Sequence, residues 1–139
     1  MQVFIIGTVI ETARALGPRR LNKQIIECYQ ILSALDGAKG WKAHPAVQQY
    51  RNHVQWLKNY TYCLESYRKG KLNAAEINSW NATLTRPDWH TPEYFDQMKR
   101  RLYTKDPDYY RQWEHLGKSE VNWYYVDGEW KHYKNGKII

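Results

Sequence analysis

The sequence predicts an all-α protein: a compact single-domain bundle of about three main helices with an aromatic, basic C-terminal arm. Three observations carry that reading. Leu21, Ile25, Cys28, Leu32 and Leu35 recur at helical spacing and make one apolar stripe. Val47, Tyr50, Val54, Leu57, Thr61 and Leu64 make a second, widened by Trp56, Tyr60, Cys63 and Tyr67. Thr91-Pro92-Glu93 is a helix start, with proline in the first turn. A chain of 139 residues suits one domain with one core, so residues 1–139 are expected to fold as a single unit.

Taken in order, residues 1–6 read as a short extended or early-helical segment. Residues 8–16 can form a helix, with Thr8 and Glu11 spaced as a capping box. Gly17-Pro18 breaks it. The next helix carries the first stripe and ends at Gly37. The second stripe predicts a helix of roughly 25 residues that starts after GAKGWKAHP, runs to Gly70 and forms the spine of the fold. Residues 74–80 predict a short helix, and the Thr91-Pro92-Glu93 start predicts one running to about Tyr103. Asp106-Pro107 repeats the helix-start pattern. The tail has an Asp127-Gly128 turn signal between aromatic stretches and Gly136 near its end; it fits a hairpin or an irregular arm.

Composition points to a polyanionic partner. Lys and Arg total 21 against 14 Asp and Glu, for a net charge of +7. Aromatics are 7 Trp and 12 Tyr with only 2 Phe. Cations suit phosphates, and flat rings suit unstacked bases. The plainer reading is a basic protein whose rings fill its core. No run of about 18 apolar residues exists, so no membrane partner is expected. MQVFIIGTVIE lacks a basic leader and does not read as a secretory signal. Cys28 and Cys63 sit in apolar helical patterns, which suits buried thiols in a reducing, intracellular compartment.

No Gly-rich phosphate loop, metal-ligand cluster or Ser-His-Asp pattern stands out, and neither a metal nor another cofactor is expected. His44, His53, His90, His115 and His132 are scattered without metal spacing. On the arc opposite the first stripe lie Arg19, Arg20, Lys23, Gln24, Glu27 and Gln30. Glu27 is the only acid on that face. A carboxylate there can act as a general base or stabilise a developing cation; alternatively it forms an ordinary surface ion pair with Lys23. The tail offers Trp130, Lys131, His132, Tyr133, Lys134 and Lys137, either as an arm for bases and phosphates or as an aromatic strand pair covering the core.

RRLNKQIIECYQIL, followed by GWKAHPAVQQYRNHVQWLKNYTYCLESYRKGK, resembles the phage endonuclease V family of pyrimidine-dimer DNA glycosylases and its broader bacterial and viral relatives. The matching pattern is Arg20-Leu21, Lys23-Gln24, Glu27, Gln30 and Leu32, then His44-Pro45. KRRLYTKDPDYYRQW and the terminal WKHYKNGKII are similar to later parts of the group. The resemblance implies an all-helical domain whose N-terminus crosses between helices. It implies an N-terminal α-amine nucleophile assisted by Glu27, imine formation at the sugar C1′ and β-elimination at the abasic site. Arg19, Arg20 and Lys23 would hold phosphates beside the cut, with Gln24, Gln30 and His44 also expected at the DNA surface. Residue 2 is Gln, whose bulk should block removal of the initiator Met. The attacking amine is then that of Met1, or of Gln2 if Met1 is cleaved.

The expected activity is therefore base excision from damaged duplex DNA, by a monomer acting on pyrimidine dimers or another modified base, with AP-lyase activity through the amine. The alternative is a non-catalytic protein that recognises distorted DNA. An RNA-directed nuclease or toxin fits the basic, aromatic surface but not the lone acid.

Overall fold

Two short-range signals, a Thr-x-x-Glu box and a Gly-Pro pair, shape the first helix in the computed structural model, which describes residues 1–37 and 42–139. Helix α1 spans Val9–Leu35. Thr8 caps it by accepting from the Glu11 N–H, and the Glu11 side chain returns to the Thr8 N–H. At Gly17 the backbone leaves helical geometry (φ 80°, ψ 161°) and Pro18 follows. A left-handed φ suits glycine, and proline lacks the N–H that an unbroken ladder needs. The expected break is thus a kink within one element, and Arg19 and Arg20 follow it directly.

The chain divides into two compact units, Met1–Pro87 and Asp88–Ile139. In the first unit, α1 packs against α3 (Val54–Lys69), with α2 (Pro45–Gln48) and α4 (Ala74–Ala82) alongside. The single long helix expected from residue 46 onward is not formed; a turn at residues 49–53 divides it into α2 and α3. A ring contact gives the reason. Tyr50 is fully buried and stacks on Trp56 at 6.0 Å, and Trp56 stacks on Tyr60 at 5.2 Å. On an unbroken helix, residues six apart point about 120° away from each other. The turn brings Tyr50 back onto the stack. Gly70 closes α3 in the left-handed conformation, as its position in the sequence predicts. The Gly40-Trp41 start of the second resembling segment lies outside the described residues.

The buried stripe of α1 runs Leu21, Gln24, Ile25, Cys28, Ile31 and Ala34. Gln24 was expected on the polar arc; it lies instead on the i, i+3, i+4, i+7 row that starts at Leu21. Both cysteines are free and buried. Burial pushes the Cys28 thiol up to about 12 and the Cys63 thiol up to about 11. Among the described residues, no helix is long and apolar enough to cross a membrane.

The second unit overturns the all-α expectation. Helix α5 (Pro92–Lys105) and a 3₁₀ helix (Arg111–Leu116) are followed by β1 (Asn122–Val126), β2 (Glu129–Lys134) and β3 (Lys137–Ile138). These strands form an antiparallel sheet in the order β1-β2-β3, so the class is α+β. The tail is neither helical nor an irregular arm because two turn pairs and ring pairing favour hairpins. Asp127-Gly128 and Asn135-Gly136 both have positive φ, at 52° and 79°, then 52° and 76°. Two-residue hairpin loops require that geometry, and Asp-Gly and Asn-Gly supply it at least cost. Cross-strand pairing then sets Trp123 opposite His132, stacked at 5.0 Å, and Tyr125 opposite Trp130.

A Cβ built on Gly128 would meet nothing within 4 Å, so its substitution cost is conformational. Gly128→Ala is expected to destabilise the hairpin by about 1 kcal/mol. A lowered thermal midpoint of the full chain checks this; an unchanged midpoint contradicts it.

Candidate amine and carboxylate site

Residues 1–6 run as an extended segment that forms no strand pairing. Gln2, Val3, Phe4, Ile5 and Ile6 are nonetheless all buried. Buried backbone groups need partners, and here side chains supply them. The Gln2 N–H donates to Glu27 Oε2 at 3.1 Å. The Phe4 N–H donates to Gln24 Oε1 at 2.6 Å, and the Ile6 N–H to Thr12 Oγ1 at 3.1 Å. Every second N–H thus turns to α1, as an extended chain requires. On the carbonyl side, Gln24 Nε2 donates to the Gln2 oxygen at 3.0 Å, and the Tyr60 hydroxyl donates to the Phe4 oxygen. Arg86 donates to the Gly7 oxygen at the far end.

This anchoring brings the chain terminus to Glu27. The Met1 amine lies 3.5 Å from His44 Nε2. His44 caps α2, its Nδ1 accepting from the Ala46 N–H at 3.0 Å. Burial first, and then the charge of the Met1 amine, pull the imidazole down from 6.5 to about 4. Four of the sequence-selected residues therefore meet: Met1, Gln2, Glu27 and His44. Glu27 is half-buried on α1, with Lys23 one turn before it and Arg20 two turns before it.

The remaining selections separate. Arg19, Lys23 and Gln30 are exposed and Arg20 is half-buried. Gln24, expected at a DNA surface, is 1% exposed with both ends of its amide bonded to the N-terminal backbone, so it holds the segment in place. Trp130, Lys131, His132, Tyr133, Lys134 and Lys137 lie on strands of the second unit. There Trp130 and His132 share the face of Trp123 and Tyr125, while Lys131 and Tyr133 share that of Tyr124. Sequence reasoning missed Thr12, Tyr60 and Arg86 as anchors. Only Gln24 carried a signal, as a polar residue on an apolar row.

A groove of about 480 Å³ elsewhere in the first unit, lined in part by Tyr29, Asp36, Lys58, Tyr62 and Glu65, includes none of the residues that hold the terminus. Among the described residues, no group of three or more His, Cys, Asp or Glu could hold a metal ion.

The first unit is thus a helical body that binds the N–H of its second residue to a helix carboxylate and sets its terminal amine beside His44, with a run of cations earlier on the same helix. The sequence model of the pyrimidine dimer DNA glycosylase family matches residues 1–70, just over half of the chain, and the protein belongs to that family. The match ends where α3 ends, so it contains the terminus, Glu27 and His44. No curated protein and no solved structure matches the chain. Membership makes DNA the substrate and glycosidic bond cleavage the general activity.

Proposed function

We propose that this protein excises a pyrimidine dimer or another modified base from duplex DNA through an imine with its N-terminal amine, and then cuts the strand by β-elimination. The observation that supports this reading is the 3.1 Å contact between the Gln2 N–H and Glu27 Oε2. It joins the chain terminus to an acid 25 positions away.

The amine lone pair attacks the sugar C1′, and the C1′–N bond breaks as the base departs. The nitrogen loses a proton as the sugar ring opens and C1′=N forms. Abstraction of a 2′ proton then expels the 3′ phosphate. Glu27 is the group for these proton transfers, and its charge stabilises the cationic imine. An α-amine has a reference pKa of about 7.7–8.0, so roughly a tenth to a third of it is a free nucleophile near neutral pH. Arg19, Arg20 and Lys23 hold phosphates beside the cut. Rings and lysines of the C-terminal strands, Trp130 and Lys134 among them, contact DNA whose damaged pair is already poorly stacked.

The test is incubation with dimer-containing duplex under borohydride. Covalent trapping at the N-terminal peptide is expected. No trapping together with no base release from a panel of lesions would sink the reading.

A further inference from the structure

Glu27 takes the Gln2 N–H, and the Met1 amine lies one residue further out, 3.5 Å from His44 Nε2. We infer that His44 is a positioning residue for the Met1 amine: its Nε2–H faces the amine and favours the uncharged, nucleophilic form. The purpose of this contact rests on the amine mechanism proposed above; its existence does not.

His44 caps α2 through its ring. His44 Nδ1 accepts from the Ala46 N–H, so that nitrogen keeps its lone pair. A neutral imidazole has a single N–H, which this hydrogen-bond network assigns to Nε2. An Nε2–H can approach an amine lone pair. It cannot accept from an ammonium, whose hydrogens are all donors. A charged terminus would therefore set donor against donor. Protonating the ring would place two cations together and remove the cap as well. Burial and the amine's own charge hold the imidazole low, at about 4, so the ring stays neutral while the amine titrates.

The neighbouring groups pull in both directions. Glu27 on α1 favours the ammonium, whereas Arg20 and Lys23 on the same helix oppose it. The segment meets α3 through the uncharged Tyr60 hydroxyl, and Arg86 binds its far end at Gly7. A carboxylate beside the terminus suits the later cationic imine but disfavours the free base that must attack. His44 offsets that conflict. It also suits a chain that retains Met1, because it faces the outer nitrogen while Glu27 faces the inner one.

The experiment is competitive acetylation of the full chain from about pH 6 to 10, read as the mass of the N-terminal peptide. His44→Asn keeps a side chain that caps helices well but presents no imidazole N–H. The amine midpoint is expected to rise by roughly one pH unit in this variant. The acid limb of the trapping rate should move the same way. His44→Ser, another good cap, serves as the second variant should the first unfold. An unchanged or lowered midpoint overturns the assignment, as does a native N-terminal peptide that lacks Met1. Failure of the two readings is distinguishable. A shifted midpoint with no trapping on lesion DNA sinks the imine mechanism and leaves His44 assigned. Trapping with no shift sinks His44 alone.

Discussion

Glu27→Gln is expected to lower base release and borohydride trapping by roughly 10³-fold, within the range for losing a positioned acid–base group. The fold should survive. The new amide oxygen can still accept from the Gln2 N–H, which Glu27 now accepts at 3.1 Å. Glu27 is half-buried, so little desolvation changes with the charge. Affinity for dimer-containing duplex should hold or rise slightly, since removing one negative charge from a basic face favours phosphate binding. Single-turnover base release and a binding titration on the same preparations check both halves. Retained activity would remove Glu27 from the chemistry and leave it as an anchor for the Gln2 N–H. A wild-type chain that binds the duplex and never releases a base would favour the alternative, a protein that only recognises distorted DNA.

The parts of the fold that the sequence made legible are those that short-range chemistry decides. Thr8 with Glu11, Thr91 with Pro92, and Gly70 each fix a helix end through groups within a few residues, and each end lies where the pattern predicts. The turn that divides α2 from α3 was not legible, because it depends on Tyr50 stacking on Trp56 rather than on a breaker residue. The tail carried its own turn signal at Asp127-Gly128, but helical stripes elsewhere dominated the class. Its sheet is held by pairing between strands, such as Trp123 with His132, that no helical period can register. At the site, the helix pattern singled out Glu27 as the lone acid on its face. The family resemblance supplied the idea of an amine partner. What neither carried is how the terminus is held. Gln24, Thr12 and Tyr60 reach it across 6 to 56 positions of sequence, and such spacings have no local signature.

Gln24→Leu is expected to produce the largest loss of stability of any single side chain in the first unit that is not itself apolar. Leucine nearly fills the same volume, so the effect isolates hydrogen bonding. The Phe4 N–H and the Gln2 carbonyl each lose their Gln24 partner in a buried setting. Leaving a buried polar group unsatisfied costs about 1–3 kcal/mol, so the pair implies roughly 2–6 kcal/mol. Urea unfolding of the full chain measures it. Exposed Gln30→Leu on the same helix is the control, expected to move stability by less than about 0.5 kcal/mol. The N-terminal segment should also detach before the chain unfolds, because the central rung of its N–H to α1 ladder would be lost between those at Glu27 and Thr12. Aminopeptidase would then remove residues from the variant but not from the wild type. Trapping activity should fall with that detachment, since the amine is no longer delivered to Glu27. The two substitutions thus separate delivery from chemistry. Glu27→Gln removes activity from a stable, anchored chain, whereas Gln24→Leu removes it by releasing the anchor and should regain part of it at low temperature or with excess DNA, where binding favours the ordered segment. A Gln24→Leu protein as stable and protease-resistant as wild type would show that the terminus is held by other contacts, and the buried amide would lose its assigned role.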